Sequence, residues 1–327
     1  MRLLIFTEAG DNFGLGHLTR CLSIARAFKN KGIPTTFFIN GDENVIPFID
    51  GYDYKIGAWY NLIKEMADFR IFQNNLCLID SYYADYEIYL HAAIHSVLLI
   101  SIDDTNRLNY PQGIVINGSI GAKELNYKND PKIKYLLGTE YQALRQEFWR
   151  IGPIHIREKI SNIFITFGGA DLHNLSGKTA KIINQNFKYN LFILIGDKTK
   201  IDDKLIKKSN IKIINTLNSK EITHFLKQID LTISAVGQSI YEFARMGIPT
   251  IGIKTTDNQI TNVNGWLKHG FINYIGDWDT FEDQDLLNEI QGLNDSLIRK
   301  RKSHDGTSLI DGQGSERIVN ECLKMMN

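Results

Sequence analysis

The sequence predicts an α/β chain in two halves, each built on a parallel sheet. Three observations predict it. Short continuous apolar runs bounded by turns recur along the chain, as expected of strands covered on both faces. Segments with apolar residues at helical spacing lie between them. Twice, near positions 14 and 168, an apolar run leads into a glycine-rich loop and then a helical segment. With 327 residues the chain is long enough for two domains of ordinary size. The break at Arg150-Ile151-Gly152-Pro153 divides it into residues 1–150 and 151–327.

Composition narrows the function classes. Basic and acidic residues balance at 37 each, so no net field draws nucleic acid or an anionic membrane, and any phosphate site has to be local. Cys21, Cys77 and Cys322 lack C-x-x-C spacing, and two of them sit inside apolar strand or helix patterns. They read as reduced core thiols of a cytoplasmic protein. No run reaches about 18 consecutive apolar residues, and residue 1 leads straight into the first strand without a signal pattern. The expectation is a soluble, unexported protein with no membrane insertion.

The first half begins with a strand at residues 3–6 and continues into Gly14-Leu15-Gly16-His17-Leu18-Thr19-Arg20. Leu18, Cys21, Leu22, Ala25 and Phe28 then mark a helix to about residue 31. The loop is not a dinucleotide fingerprint, because Thr19 stands where the third glycine belongs, nor is it a Walker loop. It lies at the carboxyl edge of a strand, where glycines admit a ligand and a helix N-terminus offers free N–H groups. Three readings of His17 stay open there: a catalytic residue facing a cleft, a cap of its own helix, or an anion ligand. A strand at 35–39, a turn at Gly41-Asp42, a helix over 60–72 and a strand at 76–79 follow, the last ending in Asp80-Ser81-Tyr82. A helix over 85–94 precedes a strand at 97–102 that runs into Asp103-Asp104. His17, Asp80 with Tyr82, and Asp103 with Asp104 thus converge on one sheet edge, the alternative for each aspartate being an N-cap. Strands at 114–117 and 135–138 and a helix over 140–149 complete this half.

The second half restarts with a strand at 163–166, Phe167-Gly168-Gly169-Ala170-Asp171 and a helix over 174–186. Strands at 189–195 and 211–214 and a helix over 219–228 come next. The strand at 231–234 delivers Ala235-Val236-Gly237-Gln238-Ser239 to a helix over 240–246. Small residues, a hydroxyl and a helix dipole make this loop a phosphate cradle, or an ordinary tight turn. Glu242 either closes a capping box or accepts from ribose hydroxyls. A strand at 250–253 brings Asn258 and Gln259 to the same edge. Asp277-Trp278-Asp279 and Asp283-Gln284-Asp285 mimic metal-binding D-x-D pairs, but they read as decoys in a polar, turn-rich tail that follows no buried strand. A helix over 316–325 ends the chain, with packing back on the first half open to it.

Taken in order, these motifs resemble one family. Gly14-Leu15-Gly16-His17-Leu18-Thr19-Arg20, Ser101-Ile102-Asp103-Asp104, the segment from Tyr141 through Arg145 to Phe148, Gly168-Gly169-Ala170-Asp171 with Asn174-Leu175, Ile233-Ser234-Ala235 with Glu242, and Asn258-Gln259 form its series. The family is the UDP-2,4-diacetamido-2,4,6-trideoxy-β-L-altropyranose hydrolases of pseudaminic acid biosynthesis, with the related spore-coat polysaccharide proteins. The likeness runs from Leu3 to about Phe271. It departs at Asp80-Ser81-Tyr82-Tyr83, where the family can read Asp-His-Tyr-Gly, around Gly237, one residue longer before Glu242, and in the longer tail.

The resemblance implies a MurG-like GT-B architecture, two Rossmann-like domains facing across a cleft. It implies that residues 1–150 hold sugar and water, that residues 151–327 hold UDP, and that the UDP-linked sugar is hydrolysed with inversion. His17 is then the general base, with Asp103 or Asp104 orienting it or the water. Gly14, Gly16, Arg20, Asp80 and Tyr82 line the first half of the site. Gly168, Gly169 and Asp171 lie near diphosphate or sugar, Gly237, Gln238 and Ser239 hold the diphosphate, Glu242 holds ribose, and Asn258 and Gln259 contact the substrate. No metal or cofactor is implied, and the expected partner is the nucleotide sugar alone, on a monomer whose contacts with pathway enzymes stay open. The rivals are a GT-B glycosyltransferase, against which the lack of a membrane-facing stretch argues, a non-enzymatic nucleotide-sugar binding module, and a hydrolase for another sugar of spore-coat or capsule synthesis.

Overall fold

The first apolar run becomes β1 (Leu3–Ala9), buried along its whole length, at the centre of a seven-stranded parallel sheet in the computed structural model. The structure describes residues 1–11, 13–65, 69–168, 171–196, 199, 201–215 and 219–326. Around β1 lie β2 (Thr35–Gly41), β3 (Asp53–Ile56), β4 (Leu76–Asp80), β5 (Leu98–Ile102), β6 (Gly113–Asn117) and β7 (Ile133–Leu137), in the order β3-β2-β1-β4-β5-β6-β7. The order reverses between β1 and β4, so the loops leaving these two strands flank a topological switch point, where open α/β sheets bind ligands. β3 escapes sequence reading because its Asp53, Tyr54 and Lys55 are exposed, as suits a charged edge strand.

Alternation along β1 sorts its side chains onto two faces. Leu4 and Phe6 enter a core with Phe38, Trp59, Cys77 and Ile79, in which Phe6 stacks on Phe38 at 4.6 Å. Leu3 and Ile5 face the other way, where the helix Gly16–Asn30 packs on β1 through Leu18, Cys21, Ile24, Ala25 and Phe28. The helix Gly314–Met326 lies against that helix and buries Ile318, Val319 and Cys322. The first compact unit therefore comprises Met1–Gln146 with Gly312–Asn327, and the second Glu147–Asp311. All three cysteines are free and buried; burial pushes the Cys322 thiol up to about 12.

Two of the helices expected in the first half fail in identifiable ways. In place of a helix over 140–149 there are two 3-10 turns, Thr139–Tyr141 and Gln146–Phe148, joined by extended chain. The backbone between them serves the C-terminal helix. The Ser23 hydroxyl donates to the Leu144 carbonyl and pairs with Ser315 at 2.6 Å, and a Cβ on Gly314 would stand 2.1 Å from the Gln142 carbonyl oxygen. The helix expected over 60–72 is Trp59–Glu65 followed by a 3-10 turn at Phe69–Ile71, with residues 66–68 outside the described set.

The second unit holds β8 (Asn162–Thr166), β9 (Asn190–Leu194), β10 (Ile211–Ile214), β11 (Leu231–Ala235), β12 (Thr250–Lys254) and β13 (Ile272–Asp277) in the parallel order β10-β9-β8-β11-β12-β13. Its switch point lies between β8 and β11. Ile163, Ile165, Ile233 and Ile251 pack with Leu175 and Ile183 of the helix Leu175–Asn186 and with Leu286 and Ile290 of the helix Asp283–Gly292. The tail is thus helical rather than turn-rich. A Glu282–Asp285 capping box starts Asp283–Gly292, and Asp295 caps a second helix, Ser296–Leu309. That helix has little apolar periodicity, and instead buries Arg299, whose guanidinium donates to the Leu293 and Glu158 carbonyls at 2.8 and 3.0 Å. Asp277 does end a strand, contrary to the sequence reading, but its carboxylate is occupied by Tyr274 and by Lys254 at 2.9 Å. No helix among the described residues is long and apolar enough to cross a membrane.

Candidate active site

His17 enters the site from a loop whose shape is set by its glycines. Gly10 and Gly14 bridge each other, the Gly14 N–H donating to the Gly10 carbonyl at 2.7 Å, and both have positive φ, +126° and +72°, a region that disfavours side chains. The Asp42 carboxylate accepts the Asp11 N–H at 2.9 Å and fixes this loop to the end of β2. Gly16 begins the helix, and Leu15 at its N-cap makes no side-chain cap bond.

The His17 side chain meets Asp80 at the end of β4. Its Nδ1 lies 2.6 Å from Asp80 Oδ1 and 3.2 Å from an Arg20 nitrogen. The ionised Asp80 carboxylate only accepts, so Nδ1 donates its proton to Oδ1, and the neutral tautomer this selects carries its lone pair on Nε2. Arg20 in turn grips Asp80 with two bonds, Nε to Oδ2 at 2.6 Å and a terminal nitrogen to Oδ1 at 2.7 Å. The Cys21 thiol completes the shell at 3.5 Å from Oδ2. Burial alone would raise the Asp80 carboxyl, but the Arg20 guanidinium and His17 outweigh it and hold it far below the usual carboxylate range. Asp80 is thus an ionised, nearly inaccessible acceptor aimed at one imidazole nitrogen, the arrangement that orients a histidine base.

Asp104 closes the cluster from β5. It takes the remaining Arg20 nitrogen on both oxygens, at 2.8 and 2.9 Å, and accepts the Tyr82 hydroxyl at 2.6 Å. The Tyr82 ring meets His17 edge-on at 4.7 Å. Burial, and then Asp104, raise the Tyr82 phenol above its ordinary range, so it remains a donor. Asp103 points elsewhere: it accepts the Tyr127 hydroxyl at 2.8 Å and the N–H groups of Thr105 and Arg107. The structure therefore brings together His17, Arg20, Asp80, Tyr82 and Asp104. The carboxylate on His17 is Asp80, rather than Asp103 or Asp104.

Sequence reasoning missed the layer behind this cluster. Arg107 donates to the Ser81 and Ala84 carbonyls at 3.0 and 2.8 Å and clamps the turn that carries Tyr82. Glu8, next to the last residue of β1, is buried and accepts the Tyr60 hydroxyl. An acid directly after the apolar run of residues 3–6 and Thr7 was the available signal for it.

In the second unit the two glycine loops differ in kind. After β8, Gly168 has φ +79° and Asp171 folds back onto the helix Leu175–Asn186, its carboxylate accepting the Leu175 and Ser176 N–H groups at 2.8 and 3.0 Å. That N-terminus is filled by the chain itself. Gly169 and Ala170 lie outside the described residues. After β11, by contrast, the helix Ser239–Met246 has Gln238 as N-cap with no side-chain cap bond. Gly237 adjoins it, and a Cβ built on Gly237 would meet only Gln259 Nε2, at 3.8 Å. Gln259 is held by the Thr255 N–H and hydroxyl, while Asn258 accepts the Thr256 hydroxyl. Glu242 is buried in the first turn of the helix. Among the described residues, no three His, Cys, Asp or Glu side chains are grouped to hold a metal ion.

Comparison with known proteins sets this geometry in context. No family model matches the chain. An uncharacterized protein of Methanocaldococcus jannaschii is 25% identical over 285 residues, covering 82% of this chain and 58% of its own length. The Helicobacter pylori pseudaminic acid cytidylyltransferase and UDP-2,4-diacetamido-2,4,6-trideoxy-β-L-altropyranose hydrolase is 24% identical over 250 residues, 76% of this chain and 43% of the relative. The chain spans about half the length of these two. The Bacillus subtilis spore coat polysaccharide biosynthesis protein SpsG is 22% identical over 98% of this chain and 97% of its own. Among solved structures, Acinetobacter baumannii MurG matches with a TM-score of 0.69 at 13% identity, over 99% of this chain and all of MurG. The fold is GT-B. The S. aureus MnaA–UDP co-structure shares it, with a TM-score of 0.69 at 13% identity over all of this chain and 97% of that one.

Proposed function

We propose that this GT-B chain is a nucleotide-sugar hydrolase, which cleaves a UDP-linked 2,4-diacetamido-2,4,6-trideoxy sugar to UDP and the free sugar with inversion. The observation that carries the reading is the His17–Asp80 pair, a base whose tautomer is set by a buried carboxylate and whose Nε2 is left to accept a proton. The names of the H. pylori relative and of the C. jejuni UDP-2,4-diacetamido-2,4,6-trideoxy-β-L-altropyranose hydrolase support the substrate class.

In the proposed reaction Nε2 takes a proton from water, and the water oxygen bonds to the anomeric carbon on the face opposite the diphosphate. The bond between that carbon and the diphosphate oxygen breaks, and UDP leaves with the electron pair. Asp80 stabilises the imidazolium that forms, and Arg20 and Asp104 keep Asp80 in place. Tyr82, Gly14 and Gly16 shape the sugar and water side. The uncapped N-terminus after Gly237 receives the diphosphate, where the N–H groups of Gln238 and Ser239 and the helix dipole offset the charge of the leaving group. Glu242 holds ribose, and Asn258 and Gln259 contact the substrate. Because the chain itself caps the helix after Gly168, Gly168 and Asp171 shape that loop and touch the substrate through backbone.

One observation favours a second reading, transfer to an acceptor: the exposed side chain of Leu15 lies two residues before His17, and the Tyr82 ring, also exposed, meets His17 edge-on. The test is NMR of purified protein with UDP-2,4-diacetamido-2,4,6-trideoxy-β-L-altropyranose and EDTA, beside His17→Ala. Acceptor-free UDP release with an inverted product, lost in the variant, supports hydrolysis. An intact substrate that turns over only with an added acceptor supports transfer.

A further inference from the structure

Glu8 is a buried carboxyl that the proposed reaction does not use. It sits at the end of β1, opposite Asn40 in the register with β2, next to the core of Phe6, Phe38 and Trp59. Burial is the largest influence on it and raises its carboxyl above the ordinary value, against the opposing hydrogen bonds of Ser81 and Tyr60 and the charge of His17. A carboxyl in such a place is harder to bury than an apolar side chain of equal size, so its partners explain its presence.

Those partners are hydroxyls, Tyr60 and Ser81, which also meet each other. Ser81 Oγ accepts the Tyr83 and Ala84 N–H groups at 3.0 and 2.9 Å, which uses both lone pairs and leaves its proton to donate. Its side-chain partners are Glu8 and Tyr60. Tyr60 accepts from Asn40 Nδ2 at 3.2 Å and donates its own proton to Glu8. Ser81 stands between Asp80, which orients His17, and Tyr82, which bonds Asp104. We propose that Glu8 is a positioning residue for the His17 site: by accepting the Tyr60 hydroxyl and, together with Tyr60, engaging the Ser81 hydroxyl, it locks the turn after β4 to the end of β1, and so holds Asp80 and Tyr82 against His17. Arg107 grips the same turn by its carbonyls; Glu8 grips it by its hydroxyl.

The proposal deepens the hydrolase reading and rests on it for its kinetic arm only. The primary readout is the far-downfield proton resonance of His17 Nδ1–H held by Asp80, observed by 15N-edited NMR without substrate, in wild type, Glu8→Ala, Glu8→Gln and Ser81→Ala. Glu8→Ala and Ser81→Ala are expected to broaden or lose the resonance, and Glu8→Gln, which keeps an acceptor oxygen for Ser81, to restore it. In turnover assays kcat falls about 10- to 100-fold in Glu8→Ala with KM within about twofold, as for a displacement of the catalytic group of the order of 1 Å. If Glu8→Ala does not fold, Ser81→Ala and Tyr60→Phe decide, since each deletes one hydroxyl. A wild-type resonance retained in Glu8→Ala, or in Ser81→Ala should Glu8→Ala not fold, overturns the proposal. Absence of turnover in wild type, with the NMR pattern as expected, refutes the hydrolase reading and leaves the positioning role standing.

Discussion

Replacing Asp80 with asparagine tests the cluster at its centre. Asp80 makes four contacts: His17 Nδ1 at 2.6 Å, Arg20 at 2.6 and 2.7 Å, and the Cys21 thiol at 3.5 Å. All four partners are donors, and an asparagine places an NH2 against two of them. With the NH2 in place of Oδ2, donor meets donor at Arg20 Nε and the Cys21 thiol. In place of Oδ1 it faces both a terminal Arg20 nitrogen and His17, the imidazole turns to its other tautomer, and the proton on Nε2 removes the base. Loss of a correctly oriented base costs about 10²- to 10⁴-fold in rate, or about 3 to 5 kcal/mol of transition-state stabilisation. Removing one partner of a buried ion pair costs about 3–5 kcal/mol of stability, and the lower end applies because Asp104 still bonds Arg20. Stopped assays of UDP release and urea unfolding measure the two effects. A kcat within about threefold of wild type would show that Asp80 does not set the tautomer of the base, and an unchanged urea midpoint would show that the pair is not a stabilising one.

Other outcomes follow from single features. Gly237→Ala is expected to leave the urea midpoint unchanged, because its Cβ meets only Gln259 Nε2 at 3.8 Å, yet to weaken UDP binding in calorimetry; unaltered affinity argues against a phosphate cradle there. Gly314→Ala forces a Cβ to 2.1 Å from the Gln142 carbonyl oxygen, so it destabilises the first unit by about 1–3 kcal/mol, and a wild-type unfolding curve contradicts that packing. The folded Asp80 carboxyl lies below its ordinary value of 3.8, so its stabilisation is complete above that value and fades as pH falls through it. Wild type is therefore expected to lose stability more steeply than Asp80→Asn below about pH 4, and parallel acid profiles would contradict it.

Much of this was legible because buried parallel strands are short apolar runs, and the sheet order then carries their ends to one edge. His17, Arg20, Asp80, Tyr82 and Asp104 were all legible as members of the site. Their pairing was not, since which carboxylate reaches His17 depends on strand adjacency: β4 adjoins β1, and β5 lies one strand further. The exposed edge strand β3 and the polar helix Ser296–Leu309 lacked the apolar periodicity that sequence reading uses. The segment after Gly138 looked helical because its apolar spacing fits, whereas its backbone groups serve the C-terminal helix. Of the two glycine loops in the second unit, only the structure distinguishes the self-capped one at Asp171 from the uncapped one at Gly237.

The most direct test of the central claim is turnover of UDP-2,4-diacetamido-2,4,6-trideoxy-β-L-altropyranose in 18O-labelled water, with both products read by mass spectrometry. Attack at the anomeric carbon by water activated at His17 predicts the label in the free sugar and none in UDP. Label in the UDP phosphate, or an intact substrate, would contradict it.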